Sequence, residues 1–405
     1  MGSNAPIQTF LISELIEEIA MGPFGSNIKV DCFVDEGVPV FNGSNLTGFT
    51  TNDDELRYVT EEKAKSLGRA LASRGDVVVT HRGTLGQIAY IPNDSLYEHY
   101  IISQSQFRMR MNEKVLPAYL VYYFHTPLGQ WKIMANKAQT GVPALGRPTS
   151  TFQKIEIELP DIETQERVIR LLDSIQSAIK LNQLANDYLY ECCTAKMIDI
   201  VDSFDRTMTV GECCESIYSG GTPSTKKPAY WNGDLPWLSS GETRSRFIID
   251  TEKTITELGV AESSTKLAKA DDVVMASAGQ GFTRGQTSML FFDTYVNQSV
   301  VVMRPKKDYG AYLLLMLAAQ YDNLRAWSDS TSTRGSMSGK LLKQFELPYF
   351  DTEQARELTD FAAPMFAMID NNMRESKTLA KTRDSLLPKL MSGEIGVSKI
   401  ESSTL

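Results

Sequence analysis

A chain of 405 residues is too long for one ordinary hydrophobic core, and two domains of roughly 150 residues plus connectors are expected. Its composition, 42% hydrophobic and 22% charged, is globular, and no run of about 18 apolar residues offers a membrane span. The net charge of −9 argues against bulk polyanion binding but permits a local basic face. Five cysteines (Cys32, Cys192, Cys193, Cys213, Cys214) and an opening MGSNAPIQTF with no signal pattern suit a reducing cytoplasm.

In chain order, an apolar segment over 7–20 leads into MGPFGSN, a loop fixed by Gly22, Pro23 and Gly25. The spacing predicts a short strand from Val38 to Phe41, then a polar turn from Asn42 to Asn45. A charged helix over 60–71 precedes a buried strand from Val77 to Thr80, a turn at His81–Gly83 and a strand over 87–91. Residues 101–111 alternate as one strand whose polar face is Gln104, Gln106 and Arg108 or their opposite neighbours, and 116–134 read as one aromatic-rich helix. A polar loop over 136–151 follows.

Ile157–Pro160 then opens a strand, an acidic turn and a long amphipathic helix striped by Val168, Leu172, Ile175 and Ile179. The whole order then repeats. Pro236 lines up with Pro39, Asp272 with Asp76, Gly279 with Gly83 and Gln298 with Gln104, at an offset of about 190 to 197 residues. Residues 309–327 are again helical. Phe345–Pro348 opens a second long helix, striped by Leu358, Met365, Asn372, Leu379 and Leu386. Asn182 and Asn372 interrupt the two stripes, as polar residues that fix helix register do. Pro364 predicts a bend near Ala363.

The fold class expected is therefore α+β: a tandem duplication of a mixed α/β module followed by a long helix, the two helices pairing as an antiparallel coiled coil. Boundaries are placed at 1–158, 159–203, 204–346 and 347–395, with a tail over 396–405. Helix-borne partner contacts are expected at Gln165, Leu172, Ile179, Asn182, Gln354, Asn372, Leu379 and Leu386.

Enzyme chemistry finds no purchase. SGGTPSTKK lacks the second glycine of a phosphate loop, and the adjacent cysteine pairs lack zinc-site spacing. His81, His99 and His125 form no paired metal arrangement, and no nucleophile–base–oxyanion set exists. The loops are richer. They carry Asn, Gln, Ser, Thr, Lys and Arg, the side chains that bond phosphates and base edges, with Arg suited to guanine and Asn or Gln to adenine.

In module one these are Ser26, Asn27, Lys29, Asn42, Ser44, Asn45, His81, Arg82, Thr84, Lys137, Gln139 and Arg147. In module two they are Thr222, Ser224, Lys226, Lys227, Trp231, Ser239, Arg244, Arg246, Gln280, Thr283, Arg284 and Arg334. Arg82, Arg244 and Arg284 are the first choices as base readers. Pro236 and Trp237 are expected to lock a core turn, leaving Trp231 partly exposed. Polar loops are ordinarily polar because they face water, so two other classes stay open: an interaction scaffold that reads no DNA, and a tandem carbohydrate-binding module using Tyr230, Trp231 and Trp237.

GPFGSN with EGVPVFNGSNL, and SGGTPSTKKPAYWNGDLPWLSSGET, resemble the target recognition domains of type I restriction–modification specificity (S) subunits. LPDIETQERVIRLLDSI and LPKLMSGEI resemble the two conserved helices of that family, and the likeness covers nearly the whole chain in the family's order. The first module departs from it by lacking the GTPS…W motif. The resemblance implies double-stranded DNA as ligand, one half of a bipartite asymmetric target per module, and paired helices as a ruler; a helix of about 38 residues is about 57 Å long. It also implies two methyltransferase (M) subunits and restriction (R) subunits as partners, which would hold the S-adenosylmethionine, ATP and Mg while this chain binds no cofactor. The chain would then be a non-catalytic cytoplasmic subunit.

Overall fold

The valine run of the first repeat shows why it is continuous. Val77–Thr80 is the third strand of an antiparallel sheet ordered Ile16–Met21, Gln106–Met111, Val77–Thr80, Ile88–Tyr90. Val77 and Val79 join Phe107, Met109 and the helices Pro117–His125 and Pro127–Met134 in one core. Val78 and Ala89 meet Phe41, Ala72 and Tyr100 in another. A strand covered on both faces carries no polar alternation. The second sheet is ordered Phe33–Val34, Arg57–Val59, Val38–Val40, His99–Ile101, Leu71–Ser73, with Val40 and Ile101 paired in parallel.

The computed structural model describes residues 7–23, 27–135, 137, 143–201, 206–278, 283–331 and 336–397. The chain forms two units, Met1–Ser177 with Leu379–Leu405, and Ala178–Thr378.

The second unit repeats the parts in the same order. One sheet runs Cys214–Ser219, Val300–Pro305, Val273–Ala276, Thr287–Leu290, Phe247–Ile248. The other runs Lys253–Ile255, Trp231–Leu238, Thr294–Val296, Lys266–Ala268, with Trp237 and Tyr295 paired in parallel as Val40 and Ile101 are. Each repeat is closed by its Glu-Leu-Pro strand, Glu156–Leu159 against Gln8–Leu11 and Glu346–Pro348 against Thr207–Thr209.

Three expected elements divide. Residues 101–111 belong to two sheets, and Gln106 and Arg108 are buried between them rather than facing water. Arg108 bonds Asp76 at 3.3 Å and Glu18 at 2.9 Å, and Arg110 bonds Asp76 at 2.9 Å. The helix expected over 116–134 breaks at Thr126, because the residue before Pro127 is driven out of the α region; its Oγ1 instead accepts from Gly129 N at 3.0 Å and caps the next helix. The one expected over 309–327 is two, Gly310–Ala319 and Tyr321–Thr331.

The long helices are Ile162–Ile200 and Thr352–Met391. Within the second unit they run antiparallel: Asn182 Nδ2 donates to Glu375 Oε2 at 2.9 Å, Asn372 Nδ2 to Asn186 Oδ1 at 2.9 Å, and Lys196 pairs with Glu357 at 2.6 Å. The two asparagines therefore bond across the helix pair, where a one-turn slip would unpair them. Within the first unit Arg383 bonds Gln176, and Leu172 packs with Leu387 and Leu390. The second helix continues through Pro364, which is exposed like Asp360, so water reaches the carbonyl that loses its amide partner.

Several expected partner contacts are internal. Gln165 is fully buried, its Oε1 accepting from Leu116 N at 2.9 Å while Nε2 donates to the Lys114 and Pro160 carbonyls at 3.1 and 3.0 Å. Gln354 takes the same kind of place, accepting from Asp351 N at 2.9 Å and donating to Ile200 O at 3.0 Å. Leu172 lies in the core, and Ile179, Leu379 and Leu386 are half-buried.

Candidate nucleic-acid interface

In the first module the sheet topology brings four polar loops together at one sheet end. Gly22 N donates to Gln106 O at 2.8 Å, His81 N to Ser105 O at 2.8 Å, and Phe41 N to Ile101 O at 2.8 Å. Only glycine fits at 22, since a Cβ there would lie 1.8 Å from Ser103 O. Gln106 Nε2 then bonds Asn42 O at 3.1 Å and Gln87 Nε2 bonds Gly43 O at 3.0 Å. Leu145 N donates to His81 O at 2.8 Å and Gly83 N to Pro143 O at 2.9 Å, which ties on the loop ending at Arg147. The buried Gln106, the half-buried Gln87 and the backbone bonds thus tie the loops into one edge.

The candidate residues divide by what holds them. Asn27, Lys29, Arg82, Thr84, Lys137 and Arg147 are exposed, and among the described residues none of their side chains makes a hydrogen bond or ion pair. Arg147 caps a helix from a left-handed backbone, φ 48°. Asn42 and Ser44 are exposed and cap the turn they begin. Asn45 is not a reader: it is fully buried, donating to Asn52 and to Asp54 O at 2.8 Å. His81 Nε2 lies 3.2 Å from Gln104 O, and burial pushes its pKa down, so near neutral pH it adds no charge toward phosphate. His125 is packed on Phe49, its Nε2 2.8 Å from Ile88 O.

In the second module Ser277 N bonds Ser299 O at 2.8 Å, Met337 N bonds Ser277 O at 2.8 Å, and Gly221 N bonds Val296 O at 3.1 Å. Two indoles hold the GGTPSTKK loop: Trp237 Nε1 donates to Gly221 O and Trp231 Nε1 to Ser224 O, both at 3.2 Å. Tyr230 and Trp237 are buried and Trp231 is half-buried, so the trio is a loop staple and not a sugar-stacking platform. Thr222 bonds Gln298, and Ser239 bonds Glu242 at 2.7 Å.

Arg284, expected to read a base, does not face outward. It is buried and held by Asp329 in a bidentate pair at 2.6 and 3.1 Å, so it fixes the loop from within instead of reaching outward. Arg246 bonds Asp187 at 3.1 Å and lies over the Tyr190 ring at 4.3 Å. Arg244 with Glu252 (3.3 Å) and Lys227 with Glu262 (3.1 Å) form exposed pairs, which solvent screens and which add little stability. Ser224 and Lys226 are exposed and Thr283 is half-buried. Ser26, Gln139, Gln280 and Arg334 lie outside the described residues. Gln104 and Arg57, both exposed beside these loops, escaped the sequence reading; the alignment of Gln104 with Gln298 was the available signal.

A duplicated module that presents a laced set of polar loops at one sheet end is a recognition architecture. The family model for the type I restriction modification DNA specificity domain matches residues 28–188 and 205–361, and the chain belongs to that family. Similar proteins include the type I restriction enzyme MjaIX specificity subunit of Methanocaldococcus jannaschii, 22% identical over 85% of this chain and 83% of that one. A type I restriction enzyme specificity subunit of Escherichia coli is 25% identical over 55% of this chain and 58% of its own length. The crystal structure of the type I restriction–modification S subunit from M. genitalium shares the fold, with a TM-score of 0.57 at 15% identity over 96% of this chain and 97% of that one.

Proposed function

We infer that this DNA-recognition specificity subunit reads a bipartite, asymmetric target, one half with each module. The observation that carries the reading is that the two loop sets stand at equivalent strand ends but differ in chemistry. Arg82, exposed and unpaired among the described residues, has Ala278 in its place in the second module, and the exposed Asn42 has Ser239. Unlike side chains on like scaffolds select unlike bases.

The chain supplies recognition, and catalysis belongs to its partners: methyltransferase subunits with S-adenosylmethionine, and restriction subunits with ATP and Mg. No cofactor is assigned to this chain, and the complex works on DNA in the cytoplasm. The docking surface is the outward apolar stripe of the first long helix, Leu181, Leu184, Tyr188 and Ile198, between 43% and 65% exposed.

Arg82→Ala tests the reading directly. Selection from random duplexes by the assembled complex will relax preference within one half-site and leave the other intact. Equal weakening on every sequence would demote Arg82 to a phosphate contact.

A further inference from the structure

The first module contains a hollow of about 310 Å³ that the second does not need. Its apolar walls include Pro23, Phe33 and Val40, and Asn42, Arg57 and Gln104 supply polar groups. Val40 is topologically equivalent to Trp237. Val40 pairs in parallel with Ile101 and antiparallel with Arg57; Trp237 pairs in parallel with Tyr295 and antiparallel with Lys253. Pro23 and Gly221 match likewise, each the second residue after its strand, Ile16–Met21 and Cys214–Ser219. In the second module the Trp237 indole crosses from strand to loop, 4% exposed, and bonds Gly221 O. In the first module no side chain among the described residues crosses the same span, Val40 to Pro23, which lines the hollow. The hollow therefore has the place and span of a bicyclic aromatic ring.

Its polar groups suit a ring with a hydrogen-bonding edge. Gln104 is exposed, and among the described residues its side-chain amide makes no hydrogen bond, offering one acceptor and two donors. Asn42 uses its Oδ1 on Ser44, which leaves its amide nitrogen. The Arg57 guanidinium lies 5.1 Å from the Phe33 ring centroid, a cation set against an aromatic wall. An apolar slot with an amide on its edge and a cation beside it fits a nucleobase, which stacks by its face and bonds by its edge.

We propose that this hollow receives one extrahelical nucleobase of the first half-site, so that the first module reads one position by pulling its base out of the stack. The proposal rests on the DNA-reading function above. Val40→Trp is the direct test, since the second module shows that the fold accepts tryptophan there. The wild-type complex of chain and methyltransferase subunits is titrated with duplexes of its own methylated motif, carrying 2-aminopurine at each first-half position in turn. Fluorescence rises several-fold at one position other than the methylated adenine. Val40→Trp abolishes that rise and weakens binding about tenfold, with unfolding temperature and second-half preference unchanged. Gln104→Ala, which removes no hydrogen bond among the described residues, lowers the signal independently. Fluorescence that stays quenched at every position, or a folded Val40→Trp complex that binds as wild type, overturns the pocket while the DNA-reading function stands. A wild-type complex with no sequence preference at all overturns both.

Discussion

Replacing Asp76 by alanine will destabilise the first unit by about 3–5 kcal/mol, the range for a buried ion pair stripped of one member. Asp76 is fully buried and accepts from Arg108 at 3.3 Å, from Arg110 at 2.9 and 3.2 Å, and from Ser73 N at 3.0 Å. Arg108 is itself almost wholly buried, and among the described residues it would keep Glu18 as counter-charge and the Arg69 carbonyl, to which its Nε donates at 3.0 Å. That guanidinium already holds the Glu18 carboxyl below its ordinary range. The second unit supplies an internal control. There Asp272 pairs with Arg304 at 2.8 Å, but Arg304 is one-third exposed and Val302 stands where Arg108 stands in the first module. Asp272→Ala leaves no buried charge behind and will cost less. Urea unfolding, with hydrogen exchange to assign each transition to its unit, checks both; equal losses would show that the cost does not come from stranding Arg108.

A Leu184→Glu, Tyr188→Glu double variant will reduce association with the methyltransferase subunit 100-fold or more, a loss of about 3 kcal/mol or greater. The stripe Leu181, Leu184, Tyr188 recurs at helical spacing on the first long helix, and these residues are 64%, 43% and 65% exposed. Asn182 and Asn186 on the same helix bond the second helix, so the exposed stripe is a different face, left over after the helix pair has formed. Charges placed there meet water in the free chain and will leave its melting temperature within a degree or two. They would be stranded in an apolar interface. Co-purification followed by titration of the two subunits measures the effect; wild-type affinity would move the docking surface elsewhere.

The repeat was legible because its markers sit where the fold constrains them. Pro39 and Pro236 each stand one residue before the parallel-paired position of equivalent strands, Val38–Val40 and Trp231–Leu238, and Asp76 and Asp272 anchor equivalent arginines, Arg110 and Arg304. The asparagine breaks in the helix stripes were readable for the same reason, as Asn182 and Asn372 each bond the opposite helix. The sites were harder. Arg284 looks like a base reader until Asp329, 45 residues away, is folded against it. Asn45 sits in a polar turn yet is consumed by Asn52 and Asp54. Gln104 was lost inside what alternation shows as one strand, because the transfer of the chain between two sheets at 103–105 leaves no mark in the pattern. The inward stripe of the first helix was visible as periodicity, whereas the outward one emerges only once the inward face has been covered.

Methylome sequencing of a host expressing this chain with its cognate methyltransferase subunit tests the central claim most directly. The account predicts methyladenine in a bipartite motif whose two halves differ in sequence, separated by a fixed unread spacer. A palindromic or single-part motif, or no methylation from a stable co-purified complex, would contradict it.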